Sequence, residues 1–255
     1  MQTILITGAS SGIGKACAEK AVLIGMNLVL CSRNFKVLQN IKKKIEKNHI
    51  KIAIYEVDIR QKDSVANMFD DLEKRRIKID FLINNAGLAL DLADIKDGNS
   101  GDWDTMIDTN IKGLLYVTKK AVAQMIERNS GHIINIGSIA GMQVYSGGAV
   151  YSATKSAVKF ISDGLRKELV EKNIKVTNIQ PGLVETNFSN IRFFGDKKKA
   201  KNVYAGIKPL KSKDIADVIF YAISRPKHVQ LCEITITPLH QASVDTIYRK
   251  LKDKS

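Results

Sequence analysis

The sequence contains few cysteines, and their arrangement argues against several kinds of site. There are three among 255 residues, and they lie far apart at Cys17, Cys31 and Cys232. This odd number and wide separation match no metal-ligand or redox motif. The four histidines show no metal-ligand spacing either; they are His49, His132, His228 and His240. We therefore expect reduced thiols in a cytoplasmic protein that binds no metal.

Long apolar runs are also missing. A membrane-spanning helix needs about 18 or more consecutive apolar residues, and Lys, Asp or Asn interrupts every candidate well before that length. The strand-like segment Gln2–Thr7 directly follows Met1, so there is no room for the charged and apolar regions of a signal peptide. We expect neither a membrane segment nor a signal peptide.

Acidic residues are outnumbered by basic ones. The chain has 26 Asp and Glu against 40 Lys and Arg, a formal net charge of +14. Such a charge attracts anions of any kind. The lysines are nevertheless scattered, with short runs only at 42–44 and 197–199, and no basic stripe is interleaved with aromatic residues. We expect a solvated basic surface and a small-molecule partner, without nucleic acid or membrane.

Short apolar segments rich in β-branched residues alternate with longer segments of helical periodicity. The predicted strands are Thr3–Thr7, Asn27–Cys31, Ile52–Val57, Phe81–Asn84, His132–Gly137, Lys175–Gln180 and Glu233–Thr237. The predicted helices are Ile13–Ile24, Phe35–Lys47, Ser64–Arg75, Asp102–Arg128, Ala149–Glu171 and Lys213–Ser224. This alternation is typical of parallel strands joined by crossover helices. It predicts one α/β domain over 1–255, a Rossmann-type doubly wound parallel sheet of about seven strands flanked by helices.

One segment, 186–210, fits neither a strand nor a helix well. It is long enough to be a functional lid or insertion. We expect it to cover the substrate.

A glycine-rich turn follows the first predicted strand and opens a helix. It includes Gly8, Ser10, Ser11, Gly12, Ile13 and Gly14. Glycines at this spacing let the backbone turn tightly and approach a pyrophosphate, whose charge is met by the helix N-terminus. An isolated turn of this kind could be purely structural. In the first βαβ unit of a doubly wound sheet it indicates a dinucleotide site.

The end of the second strand suggests which dinucleotide is bound. An NAD-selective site would usually carry an acid here to hold the ribose 2′-hydroxyl, and this chain has Ser32 and Arg33 instead. A hydroxyl beside a guanidinium suits a 2′-phosphate. The alternative is that Arg33 is an ordinary surface arginine. We predict NADP.

Polar residues follow the later strands, where parallel sheets bind ligands. They are Asn84–Gly87 after the fourth strand, Ser138 after the fifth, and Tyr151 and Lys155 early in the next helix. Four residues of separation place Tyr151 and Lys155 one helical turn apart on one face. A phenol titrates near pH ~10 and needs positive charge nearby to act as a base. Lys155 could supply that charge, and Ser138 could hydrogen-bond the substrate oxygen during hydride transfer. A tyrosine and a lysine at this spacing are by themselves a common solvent-facing pair.

With these motifs in order, and with Asn110 and Pro181-Gly182 followed by Thr186, the whole chain resembles the short-chain dehydrogenase/reductase family. The resemblance implies that Asp58 contacts the adenine, that Asn110 positions a water in a proton relay, and that Lys155 also binds the nicotinamide ribose. It further implies a homo-oligomer, often a tetramer. The remaining cofactor-binding residues that it implies are Asn85, Ala86, Gly87, Tyr151, Pro181, Gly182, Val184 and Thr186.

Within this family, three segments are similar to the NADP-dependent 3-hydroxy acid dehydrogenases: 85–90, 102–110 and 182–189. One departure is Asn34, where that group often has a second arginine. The resemblance implies hydride transfer at the 3-position of serine, L-allo-threonine or 3-hydroxypropionate, with Ser138, Phe188 and Arg192 as candidate substrate contacts. Arg192 could bind the carboxylate; alternatively, it could pack over the lid or pair with Asp196.

Two other functions stay open. One is an NADP-dependent reductase of other carbonyls, such as 3-oxoacyl thioesters or small diketones. The other is a catalytically silent NADP-binding regulator, since a fold alone does not establish activity.

Overall fold

The computed structural model describes residues 1–47 and 49–250, which contain nine strands. These are β1 Thr3–Thr7, β2 Asn27–Ser32, β3 Ile52–Glu56, β4 Phe81–Asn84, β5 Gly131–Ile136, β6 Ile174–Pro181, β7 Val184–Glu185, β8 Leu210–Lys211 and β9 Glu233–Ile236. Seven of them form one parallel sheet in the order β3-β2-β1-β4-β5-β6-β9. The predicted single-domain, doubly wound sheet of seven strands is therefore confirmed.

Helices connect the strands and cover both faces of the sheet. They are α1 Gly12–Leu23, α2 Phe35–Ile45, α3 Lys62–Lys74, α4 Ser100–Ile107, α5 Leu114–Glu127, α6 Ala149–Glu168, α7 Phe188–Arg192, α8 Lys197–Asn202 and α9 Ser212–Ile223. In the described part of the chain, none of these helices is long and apolar enough to cross a membrane.

Alternating side chains of the strands form two cores. Ile4 and Ile6 of β1 pack with residues of α1, α2 and α9, whereas Leu5 between them packs with residues of α3 and α5 on the other face. All three side chains are fully buried. Each such burial contributes about 1.5 to 3 kcal/mol to folding, which is why the strands read as continuous apolar segments in the sequence.

The sequence predicted one continuous helix over Asp102–Arg128, and this prediction is wrong, because the structure divides the range into two α-helices separated by a π-helix. Helix α4 begins at Ser100, because the Asn99 side chain accepts hydrogen bonds from the amides of Gly101 (2.8 Å) and Asp102 (3.3 Å). A π-helix at Asp108–Gly113 then separates α4 from α5. Such π turns leave no clear periodic signal in a sequence and often occur at functional sites.

The expectation that segment 186–210 contains neither strand nor helix is also wrong. The segment contains α7 and α8, and it ends at β8, which pairs with β7. The Asp196 carboxylate starts α8 by accepting from the amides of Lys198 and Lys199, both at 3.0 Å. Helices of five and six residues are too short to show an apolar periodicity.

The order of the strands positions the site. The chain winds outward from β1 in one direction through β2 and β3, and in the other direction through β4, β5 and β6. A crevice forms where the winding reverses, at the carboxyl ends of β1 and β4.

Candidate active site

One cavity of about 770 Å³ opens at the carboxyl ends of the central strands. It brings together residues as distant in sequence as Gly8 and Arg249. The residues that were predicted from the sequence and line this cavity are Gly8, Ser10, Ser11, Gly12, Ile13, Ser32, Arg33, Asp58, Asn85, Ala86, Gly87, Ser138, Tyr151, Lys155, Pro181, Gly182, Val184, Thr186, Phe188 and Arg192. Gly14 and Asn110 do not line it, but they contact the lining residues Asn85 and Leu88.

The glycine-rich turn is packed closely against the loop after β4. Gly8 has a φ of 63°, and a Cβ there would lie 2.9 Å from the Cα of Ala86. Asn85 donates from Nδ2 to the carbonyls of Thr7 (2.9 Å) and Gly8 (3.2 Å). A Cβ at Gly14 would lie 2.6 Å from that same Nδ2, so Gly14 makes room for the contact. The turn leaves an open backbone cradle at the N-terminus of α1, which suits a pyrophosphate.

Next to this cradle, the end of β2 has a specific local structure. The Ser32 hydroxyl is buried and forms hydrogen bonds with the backbone of Asn34, accepting from its amide at 3.2 Å and donating to its carbonyl at 3.3 Å. The Asn34 side chain caps α2 by accepting from the amide of Val37 at 3.1 Å. The asparagine at position 34 therefore serves as a helix cap.

Asp58, the expected adenine contact, lines the same cavity. Its carboxylate is held by Arg60, whose Nη2 lies 2.6 Å from Asp58 Oδ2. The hydrogen bond from Arg60 is the largest effect that lowers the pKa of Asp58 below its usual value, and the charge of Arg33 lowers it further. The carboxyl is therefore ionised at neutral pH.

The reactive end contains the expected serine, tyrosine and lysine. Tyr151 is buried, and the Lys155 Nζ lies 5.9 Å from the centre of its ring. Lys155 Nζ donates to the Ile136 carbonyl at 2.8 Å, which fixes the ammonium at the lining of the cavity. Ser138 begins the short 3₁₀ turn Ile139–Gly141, accepting from the Ala140 amide at 3.1 Å.

Burial shifts both titrating groups of this centre. Loss of solvent raises the pKa of Tyr151 above its usual value; the neighbouring Tyr145 raises it further, and a hydrogen bond with Ser138 and the charge of Arg192 oppose the shift. Burial lowers the pKa of Lys155 to about 8. Lys155 therefore remains mostly protonated at neutral pH and keeps a positive charge close to the phenol.

Asn110 lies in the π-helix, and its side chain is bonded to protein groups. Its Nδ2 donates to the Leu88 carbonyl (2.8 Å) and to Thr154 Oγ1 (3.0 Å), and its Oδ1 accepts from the Leu88 amide (2.9 Å). Both N–H groups are used, so the side chain anchors the loop after β4 to α6. Its role in a proton relay stays a prediction.

Arg192 connects the segment over the cavity to the opposite wall. Its Nε donates to the Asp91 carbonyl at 3.1 Å, and the Asp91 amide donates back to the Arg192 carbonyl at 2.9 Å. Its Nη2 donates to the Tyr145 hydroxyl at 2.6 Å, and its guanidinium carbon lies 5.8 Å from the centre of the Tyr151 ring. The alternative pairing with Asp196 does not occur; that carboxylate caps α8 instead.

Several residues of the cavity carry no signal in the sequence. Tyr145 supports Arg192, and the buried Gln241 accepts from the Leu183 amide at 2.8 Å, which ties the C-terminal segment to the loop after β6. The Tyr204 hydroxyl donates to the Val184 carbonyl at 3.0 Å. None of them belongs to a motif, and only the tertiary fold brings them to the site.

Comparison with known proteins agrees with this geometry. The family model for short chain dehydrogenase matches residues 2–193. The chain is 42% identical over 251 residues to an NADP-dependent 3-hydroxy acid dehydrogenase of Schizosaccharomyces pombe, covering 98% of this chain and 97% of that protein. It is 38% identical over 240 residues to an NADP-dependent 3-hydroxy acid dehydrogenase of Escherichia coli, covering 94% and 96%.

Solved structures show the same similarity. The closed form of serine dehydrogenase complexed with NADP+ superposes with a TM-score of 0.91 at 37% identity, covering 98% of this chain and all of that one. Serine dehydrogenase from Escherichia coli superposes with a TM-score of 0.80 at 33% identity, covering 94% of this chain and all of that one.

Proposed function

The chain belongs to the short-chain dehydrogenase family and is an NADP-dependent oxidoreductase, and from that premise we propose that its substrate is a small 3-hydroxy acid. The reaction is hydride transfer between nicotinamide and the 3-hydroxyl or 3-oxo group of serine, L-allo-threonine or 3-hydroxypropionate. The observation that carries the proposal is the guanidinium of Arg192, which lies inside the cavity beside Tyr151. Two relatives that share about two fifths of their residues with this chain are 3-hydroxy acid dehydrogenases, which supports the same substrate class.

The residues of the cavity fit the cofactor. The backbone cradle beside Gly8, where a side chain would collide with Ala86, suits the pyrophosphate, and the Arg33 guanidinium, which follows the buried Ser32, suits the 2′-phosphate. In this proposal the nicotinamide lies beside Lys155 and Pro181, which line the same cavity. When bound, NADP accepts or supplies the hydride.

Tyr151 is the proton-transfer residue in this proposal. In oxidation its phenolic oxygen takes up the proton of the substrate hydroxyl, and in reduction it returns that proton to the carbonyl oxygen. Lys155, held by the Ile136 carbonyl, favours the ionised phenol through its positive charge. The Ser138 hydroxyl hydrogen-bonds the same substrate oxygen and orients it.

The other end of the substrate is held by Arg192. A guanidinium has five N–H donors, and two of those of Arg192 are used by Asp91 and Tyr145. The others are available for a carboxylate, which a guanidinium can bind through two parallel hydrogen bonds. Phe188 packs edge-on against Tyr151 with ring centres 5.7 Å apart, so segment 186–210 covers the reacting end of the substrate.

A substrate panel followed by nicotinamide absorbance tests the proposal. Serine, L-allo-threonine and 3-hydroxypropionate are compared with uncharged alcohols and, in the reverse direction, with 3-oxoacyl thioesters and small diketones, each with NADP and with NAD. We expect kcat/KM to be highest for a 3-hydroxy acid with NADP. Preference for an uncharged carbonyl would favour the general reductase, and NADP binding without any turnover would favour the regulator.

We also propose that the enzyme is cytoplasmic and forms a homo-oligomer, a tetramer by resemblance to its family. The buried thiols of Cys17 and Cys31 are unpaired, as in a reducing compartment, and burial raises the pKa of each to about 12. Light scattering coupled to gel filtration tests the assembly. A monomer at micromolar concentration would contradict it.

A further inference from the structure

An acidic residue lies in the part of the cavity where a phosphate is expected. Asp58 and Arg33 both line the cavity, and they lie close enough for the charge of Arg33 to lower the pKa of Asp58. An unpaired carboxylate here would repel the 2′-phosphate of NADP and would attract the Arg33 guanidinium away from it. The sequence lacks an acid at the end of β2, yet the fold brings one to this region from the end of β3.

Arg60 neutralises the negative charge of Asp58. Its Nε lies 3.0 Å from both Asp58 oxygens, its Nη2 lies 2.6 Å from Oδ2, and its backbone amide donates to Oδ1 at 3.1 Å. Such a two-pronged contact fixes the plane of the carboxylate as well as its charge. Arg60 itself is not part of the cavity wall, so it acts through Asp58.

The pairing leaves the neighbouring arginine available. Among residues 1–47 and 49–250, the Arg33 side chain has no hydrogen-bond or ion-pair partner, although it is close enough to Asp58 to affect the pKa of that carboxyl. The neighbouring Asn34 supplies no second cation, because its amide is neutral; its side chain caps α2. Arg60 is therefore the nearby cation that can balance the acid.

We propose that Arg60 is a positioning residue for NADP selectivity. By neutralising and orienting Asp58, it removes the repulsion of the 2′-phosphate and leaves the Arg33 guanidinium for that phosphate. NAD has the same adenine and ribose without the phosphate, so it is indifferent to most of this effect. Arg60 thus takes over part of the electrostatic role that a second arginine at position 34 would have.

The test measures the Kd of NADP and of NAD by isothermal titration calorimetry, without turnover, and uses the ratio of the two constants. Arg60→Met should lower the preference for NADP about three- to tenfold, which corresponds to the loss of one compensating charge near the surface. Asp58→Asn in the Arg60→Met background should restore the ratio to within about twofold of the wild type, because the uncompensated charge is then gone. If Asp58 also binds the adenine, its replacement weakens both cofactors equally, so this effect cancels in the ratio.

Arg75→Met is the matched control. Arg75 also contacts an aspartate, Asp71, with Nη1 3.4 Å from Oδ2, but it lies outside the cavity. Arg75→Met should leave the ratio of the NADP and NAD Kd values unchanged. If Arg60→Met does not fold, Arg60→Lys can be used instead; it keeps the positive charge without the paired guanidinium donors and should retain most of the preference for NADP over NAD. An equal loss of NADP and NAD, an unchanged ratio, or a double variant that stays as unselective as Arg60→Met would overturn the proposal.

Discussion

Replacing Arg192 by leucine tests how the substrate is recognised. The side chain is half-buried in the cavity, and its guanidinium carbon lies 5.3 Å from the centre of the Tyr145 ring and 5.8 Å from that of Tyr151. Leucine keeps much of the apolar stem and removes every donor. If Arg192 binds the carboxylate, Arg192→Leu should impair the oxidation of a 3-hydroxy acid far more than that of an uncharged alcohol.

The magnitude follows from the number of donors. Two N–H groups of Arg192 hold Asp91 and Tyr145, which leaves enough donors for two bonds to a carboxylate. A hydrogen bond to a charged group contributes about 1.5 to 3 kcal/mol, which is about ten- to a hundredfold in kcat/KM. The loss should therefore be at least about tenfold for 3-hydroxypropionate.

The assay compares 3-hydroxypropionate with 1,3-propanediol, which has the same chain without the carboxylate. The ratio of their kcat/KM values removes any effect that Arg192 has on the acidity of Tyr151, since both substrates share that step. Arg192→Gln is a second variant, because its amide can still donate to the Asp91 carbonyl. Arg225→Leu is the matched control; this arginine stacks on Tyr221 with its guanidinium carbon 4.0 Å from the ring centre and does not line the cavity.

A uniform loss for both substrates would refute carboxylate recognition and would show that the leucine has disturbed the covering segment. No loss for either substrate would assign the carboxylate to another residue. Tyr145→Phe gives an intermediate case: it removes one support of Arg192 and should reduce the preference for the acid by less than Arg192→Leu does.

Three further predictions concern single residues. Tyr151→Phe should lower kcat by about 10²- to 10⁴-fold while NADP binding is kept. Because burial raises the pKa of Tyr151, oxidation by the wild type should also accelerate toward alkaline pH. A rate that does not change with pH while hydride transfer is rate-limiting would contradict Tyr151 as the proton-transfer residue. Arg33→Ala should weaken NADP about ten- to a hundredfold and NAD hardly at all, as measured by titration; equal losses would mean that Arg33 does not contact the phosphate. Burial lowers the pKa of His132 from 6.5 to about 3, so its neutral form stabilises the fold above pH 6.5, and about 2 kcal/mol of this stability is lost when the pH falls to 5. In urea unfolding, the free energy of unfolding of His132→Gln should therefore fall less between pH 6.5 and pH 5 than that of the wild type. An equal fall in both proteins would show that His132 is not the source of the pH dependence.

Local sequence is sufficient for much of the site. The glycine turn beside Gly8 requires a positive φ, and Tyr151 and Lys155 share one helical face because of the period of the helix. The strands are visible because their side chains are buried on both faces of the sheet. These features depend on residues within a few positions of one another, and the structure has them where the sequence predicted them.

Two helix starts also have a local signal in the sequence. Asn34 and Asn99 are residues that commonly cap helices, and each accepts a hydrogen bond from an amide at the start of the helix that follows it.

Other features depended on the tertiary structure alone. Arg192 meets Asp91 across 101 positions of sequence, and Gln241 meets Leu183 across 58. Asp58 is a cavity residue only because β3 lies beside β2 at the edge of the sheet. The sequence by itself determined the fold class and the cofactor, and it placed Tyr151 and Lys155 on one helical face, because each follows from short-range geometry and residue chemistry. The tertiary structure decided which distant side chains hold the covering segment and brought Asp58 into the cavity with Arg33, because such contacts depend on how loops pack and leave no periodic pattern in the chain.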